Sequence, residues 1–221
     1  MIVLDVEIEK AIPPRANTPR EPDIAYCEGW RDYPNMGIAC VCTYELATGL
    51  SRVFLREELS QLAQYLRGRW TAGFNTRRFD NRLLAEHGVT LGDVQHYDML
   101  EAIWRSIGLD PDRFVPATHG GWSLDAVCGA TLGVQKSGDG ASAPIWWQRG
   151  ARGRVIDYCL RDVWLEAALL KFILLNGWVS RALPAKLAID VPAEVLEGCG
   201  QVMLRCDVRE MRGVYGSAPG C

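Results

Sequence analysis

Lysine is scarce in this chain, apolar runs are short, and no cysteine pair has the Cys-x-x-Cys spacing. Each shortage excludes something. No stretch approaches the roughly 20 apolar residues of a membrane span, so no membrane insertion is expected. The N-terminus reads as a strand that already carries acids rather than as a signal peptide, and a cytoplasmic protein is expected. Without a Cys-x-x-Cys pair, and with His87, His96 and His119 at no ligand spacing, no zinc site is expected. Eight cysteines are present, but Cys40, Cys42, Cys128 and Cys159 fall in apolar periodic segments, where a free thiol behaves as a small core residue. The net charge of −3 excludes a uniformly basic nucleic-acid binder. No internal repeat or low-complexity tract is visible.

What remains is a chain of 221 residues, suited to one domain with a small appendage, and 48% hydrophobic, which supports a sizeable core. Its positive charge is carried mainly by arginine, whose planar fork suits phosphate. Arg77, Arg78 and Arg82 flank Asp80, while Arg149, Arg152, Arg154 and Arg161 precede or enter the segment holding Asp162.

Residues 1–9 alternate as a strand, with Ile2, Leu4, Val6 and Ile8 on one face and Val3, Asp5 and Glu7 on the other. Residues 10–35, rich in Pro, Arg and Asp, read as a long inserted loop. Strands follow at 37–45 and 51–55, joined at Thr48-Gly49, then a helix at 57–67 and a short strand at 70–75. Residues 79–87 read as a helix, 94–97 as a strand and 98–107 as a helix. Residues 122–132 form a helix capped by Ser123, and 134–153 read as loop. The strongest helix covers 154–176 and stops at Gly177. This order predicts an α/β domain over 1–180, a mixed sheet with helices on both faces. Residues 181–221 form a C-terminal extension with a candidate edge strand near 201–209.

The chemistry lies in three short motifs. Asp5 and Glu7 leave the same face of a very apolar strand, about 7 Å apart along it, and two like charges facing one way call for a cation. Asp80 closes Asn75-Thr-Arg-Arg-Phe79-Asp80, at a strand-to-helix connection where the helix dipole favours an acid. Tyr158 and Asp162 stand one turn apart on the long helix, so they share a face. Each motif alone is an ordinary surface pattern; their ordered co-occurrence is not.

Strand Asp-x-Glu, then Asn-x-x-x-Phe-Asp, then Tyr-x-x-x-Asp resembles the DEDDy 3′–5′ exonucleases of the RNase H-like superfamily. It resembles in particular the proofreading exonuclease domain of family B DNA polymerases, over about residues 1–176 by element order. The resemblance implies an RNase H-like fold and two-metal-ion hydrolysis at the 3′ end of single-stranded nucleic acid, DNA favoured. It implies that Asp5, Glu7, Asp80 and Asp162 bind two Mg²⁺ or Mn²⁺ ions and that Tyr158 orients the attacking water. Asn75 and Phe79 would shape the terminal-nucleotide pocket. Arg77 and Arg78 are candidate phosphate contacts, as is Lys136 in an otherwise turn-like Lys136-Ser-Gly-Asp-Gly140. A separate polymerase, repair or replication protein is a candidate partner. Ile8 stands where many family members carry Thr or Ser, and segment 10–35 replaces a short turn. An endonuclease on the same site, or a binding module that has lost the chemistry, are the alternatives.

Overall fold

The computed structural model describes residues 1–14, 18–91, 96–136, 138, 140–182 and 184–199. Its centre is a five-stranded mixed sheet of order β3-β2-β1-β4-β5, formed by β1 (Ile2–Ile8), β2 (Ile38–Glu45), β3 (Ser51–Leu55), β4 (Thr71–Gly73) and β5 (His96–Asp98). β2 pairs antiparallel with β1 and with β3, while β4 pairs parallel with β1 and β5 parallel with β4. β1 is therefore central, as its apolar content predicts. Its alternation sorts the core: Ile2, Leu4, Val6 and Ile8 enter one hydrophobic cluster and Val3 enters the other.

Helices cover both faces. The Ile2 side packs against α2 (Leu59–Leu66) through Leu62 and Leu66 and against α3 (Asp80–Glu86) through Leu83 and Leu84. The Val3 side packs against α4 (Met99–Ser106), α6 (Leu124–Leu132) and α8 (Arg152–Asn176). α8 ends where expected, at Gly177 in the left-handed conformation (φ 68°), which costs glycine little. Ser123 caps α6, accepting a hydrogen bond from the Ala126 N–H.

Two sequence expectations need revision. The strand expected over 70–75 is ordered only as Thr71–Gly73, because Asn75 turns into the left-handed region (φ 65°) and redirects the chain. The stretch 134–153 is not all loop: it holds α7 (Ala143–Gln148), whose Pro144 suits a first helical turn. Its apolar pattern is too short to announce a helix. The segment 10–35 leads into a short helix, α1 (Tyr33–Met36), and parts of it are anchored to the domain. Ala11 bridges to Tyr26 as an isolated parallel pair. The Gln148 amide of α7 donates to the carbonyls of Glu9 and Ala25 (3.0 Å each) and accepts from the Ala25 N–H at 2.7 Å. Arg149 pairs with Glu21 beside it. Beyond residue 180, Ile189 and Val195 join the Val3-side core, and α9 (Ala193–Cys199) lays Gly198 against the Trp70 indole. This part of the tail packs on the domain; the candidate strand at 201–209 lies outside the described residues. Among the described residues no helix is long and apolar enough to cross a membrane.

Candidate functional site

The ladder between β1 and β4 spans only Ile2–Thr71 and Val3–Ala72. Past Val3 the two strands part, and a cleft of about 1010 Å³ opens over the carboxyl half of β1. Such a crevice, beyond the carboxyl ends of parallel strands where the strand order reverses, is the usual ligand position of an open α/β sheet. The parting leaves the Val6 N–H without a ladder partner. Asp80 Oδ1 accepts it at 3.2 Å, which ties the start of α3 to the strand of Asp5 and Glu7. On the other edge of β1 the register with β2 shifts between Glu7 and Ile8, skipping Ala39. Irregularities of this kind are common beside functional sites, where they re-aim a side chain.

Asp5 and Glu7 point from β1 toward α8, and Asp162 meets them there. One carboxylate oxygen from each lies within 4.8 Å of the others. Tyr158 lies one turn before Asp162 and lines the same cleft. The buried face of α8 therefore carries its polar residues among the apolar ones, Val155, Val163, Leu165 and Leu169, rather than opposite them. Asp80 stays outside the tight trio, held by the Val6 amide, yet lines the cleft with them.

Burial dominates the electrostatics. It pushes Asp5 up to about 7, helped by the Asp162 charge and opposed by Lys136. Burial raises Glu7, then the Asp5 charge; burial raises Asp80 too, again reinforced by Asp5. Asp162 is also raised by burial, with Lys136 pulling the other way. The Tyr158 hydroxyl, shut from solvent and with no hydrogen-bond partner among the described residues, is raised by burial and by Asp162. It stays a phenol at neutral pH.

Lys136 enters this cluster directly. Its Nζ lies 2.6 Å from Asp162 Oδ2 and 5.5 Å from the centre of the Tyr158 ring. Asp125 of α6 fixes its backbone by accepting the Lys136 N–H at 2.8 Å. Burial disfavours the ammonium, but Asp162 and Asp5 outweigh it and raise its pKa. The turn-like stretch around Lys136 thus delivers a cation into the acids.

The other expected contacts divide. Phe79 packs edge-on against Trp30 (6.0 Å) and Tyr33 (6.1 Å) and lines the cleft with them. Trp30 is 69% exposed, so an aromatic face is offered at the rim. Asn75 and Arg78 also line the cleft, and Arg78 stacks over Phe114 at 4.9 Å and donates to the Pro111 carbonyl at 2.9 Å. Arg77 does not line it: its guanidinium faces Glu101 at 3.6 Å. The arginine cluster seen in the sequence is dispersed. Arg149 pairs with Glu21, Arg161 with Asp157 at 3.0 Å, and Arg152 and Arg154 lie over Trp147 and Trp146.

Two residues that sequence reasoning passed over prove central. Asp98, at the N-terminus of α4, accepts from the amides of Leu100 and Glu101 and also from those of Asn75 (3.0 Å) and Arg77 (2.9 Å). It caps one helix while clamping the turn that aims Asp80. His96 braces the same turn, with Thr71 Oγ1 and Thr76 Oγ1 at 2.8 and 2.7 Å from its ring nitrogens. Burial, then Arg77, lowers its pKa to about 3, so the imidazole is neutral. The second is Glu166, one further turn along α8 and 3% exposed. The repeat Tyr158, Asp162, Glu166 at steps of four was a readable signal for it.

Convergent carboxylates with no nitrogen or sulfur donor among them suit a hard, oxygen-seeking divalent cation such as Mg²⁺ or Mn²⁺. The buried Asp5 Oδ2 has no hydrogen-bond partner among the described residues, which fits a ligand atom awaiting an ion. Behind the acids, Cys40, Cys42 and Cys159 bring their sulfurs within 4.8 Å of one another, and Cys159 Sγ donates to the Asp5 carbonyl at 3.4 Å. No protein-family model matches the chain, and no curated protein matches it.

Proposed function

We propose that this protein is a metal-dependent 3′–5′ exonuclease that removes nucleotides from single-stranded nucleic acid, DNA favoured. The observation that carries the reading is the convergence of Asp5, Glu7 and Asp162 oxygens within 4.8 Å of one another in the cleft that Asp80 and Tyr158 also line. The mixed sheet of order β3-β2-β1-β4-β5 is compatible with an RNase H-like fold, which supports it further.

In this reading Asp5, Glu7 and Asp162 hold one Mg²⁺ or Mn²⁺ ion, and Asp5 and Asp80 share a second. When bound, the ions supply Lewis-acid stabilisation of charge on the phosphodiester and its attacking and departing oxygens. The chain's own groups do the rest. Tyr158, held neutral, orients the attacking water by hydrogen bonding and is no base. Lys136 brings a fixed positive charge to the phosphate. Trp30 and Phe79 offer faces on which unpaired bases stack, a contact that tolerates any sequence. Asn75 and Arg78 border the cleft, where an amide and a guanidinium suit the terminal nucleotide.

Digestion of end-labelled single-stranded DNA and RNA, with Mn²⁺ or with EDTA, tests this. Stepwise mononucleotide release that needs the metal and is lost in Asp162→Asn is expected. Cleavage that persists in EDTA, or internal fragments alone, overturns it.

A further inference from the structure

Glu166 is the acid that the four-carboxylate motif does not use. It projects from the buried face of α8, one turn beyond Asp162, and is 3% exposed. Its Oε2 is shut off from solvent and has no hydrogen-bond partner among the described residues. Its Oε2 lies beside Gly73, the last residue of β4. A Cβ on Gly73 would meet the Thr76 methyl, lie 2.9 Å from the Leu4 carbonyl oxygen and lie 3.4 Å from Glu166 Oε2. The carboxylate is thus seated where β1 and β4 part, below the cleft it lines.

Burial, and then the charges of Asp5, Asp80 and Asp162, hold its carboxyl well above the usual carboxylate range, with Lys136 pulling the other way. Lys136 is already engaged at 2.6 Å by Asp162. The Gly73 position that borders Glu166 Oε2 also borders the Leu4 carbonyl, next to Asp5, and Asp80 accepts from the Val6 N–H on this same edge of β1, so Glu166 shares the seam of Asp5 and Asp80. Asp5 contributes an unpartnered buried oxygen of its own, Oδ2. An unpaired buried carboxylate is costly, and a polar cluster left half satisfied is worse than an apolar core. A hard divalent cation between these oxygens satisfies both.

We infer that Glu166 is a fifth carboxylate of the cation site, serving the position shared by Asp5 and Asp80. The inference rests on the two-cation reading above and extends it: one position draws on Asp5, Glu7 and Asp162, the other on Asp5, Asp80 and Glu166. It makes the second position richer in charge than the motif alone provides.

Titration of the full-length protein with Mn²⁺, followed by calorimetry and by the Mn²⁺ electron paramagnetic resonance signal, tests it without reference to activity. Wild-type protein is expected to bind two ions. Glu166→Gln keeps the shape and removes the charge; one ion should bind as in wild type and the other about 10- to 100-fold more weakly. Glu166→Asp keeps the charge on a shorter arm and should fall between. Two ions at wild-type affinity in both variants would overturn the inference while leaving the two-cation reading intact. Failure of the wild-type protein to bind two ions would overturn that reading itself. If Glu166→Gln does not fold, the Glu166→Asp titration decides alone, wild-type affinities at both positions overturning the inference.

Discussion

Lys136 Nζ and Asp162 Oδ2 lie 2.6 Å apart, so an ammonium sits against one of the acids assigned to the cation site. A side-chain cation and a metal ion compete for the same oxygens. Lys136→Met should therefore strengthen Mn²⁺ binding in calorimetry while lowering the cleavage rate, because the phosphate loses its fixed charge. Weaker metal binding in that variant would show that Lys136 supports the site rather than contests it.

The carboxylates and Tyr158 should respond unequally. Asp162→Asn and Asp5→Ala should reduce cleavage to below about one-hundredth, with circular dichroism unchanged, since each removes a direct ligand. Tyr158→Phe removes one hydrogen bond to water, worth about 1 kcal/mol, and should cost only about 5- to 10-fold. Losses of equal depth in Tyr158→Phe and Asp162→Asn would assign the tyrosine a different role.

Stability without metal should fall as pH rises. Asp5 goes from 3.8 to about 7 in the folded protein, and Glu7, Asp80 and Asp162 move the same way. The folded state then holds protons that the unfolded chain has released, so the slope of unfolding free energy against pH is negative. The stabilising contribution is complete below the ordinary carboxylate pKa and lost as pH passes through about 7 for Asp5. Melting temperatures in EDTA should decline across this window, and saturating Mg²⁺ should reverse the decline, because the ion replaces the protons. A flat or rising profile in EDTA would contradict the buried, proton-sharing cluster.

Asp98→Ala should destabilise the protein by about 2 kcal/mol or more, since it removes a helix cap and strands the Asn75 and Arg77 amides. Cleavage should fall as well, through the loosened turn before Asp80. Asp98→Asn, which keeps acceptor oxygen, should recover part of both. Denaturant melts beside rate measurements will separate the two effects.

Trp30→Ala should leave the melting temperature nearly unchanged, because the indole is 69% exposed. Affinity for single-stranded DNA should weaken by about 1–3 kcal/mol if a base stacks there. Equal binding by wild type and variant in fluorescence anisotropy would remove Trp30 from the substrate path.

Much of this arrangement was legible before any coordinates. The apolar content of residues 1–9 marked a central strand, and it is the middle strand of the sheet. The steps from Asp5 to Glu7 and from Tyr158 to Asp162 fixed which side chains share a face, because strand and helix periods are local properties. Long-range matters were not legible. The sequence places arginines near the acids along the chain, but Glu21, Glu101 and Asp157 draw three of them aside, and no linear pattern reveals those partners. Asp98 reads as a plain helix cap until the Asn75 turn folds back onto it. Glu166 is readable by the same four-residue step as Asp162, but its seat beside Gly73 is a long-range contact that no linear pattern reveals.

Gln148 clasps Glu9 and Ala25 together through an uncharged amide. The neighbouring Arg149–Glu21 pair loosens as salt screens it, whereas this clasp does not. The join between α7 and the chain at Glu9 and Ala25 thus rests on a contact that ionic strength does not weaken, and the backbone there should keep its place in high salt.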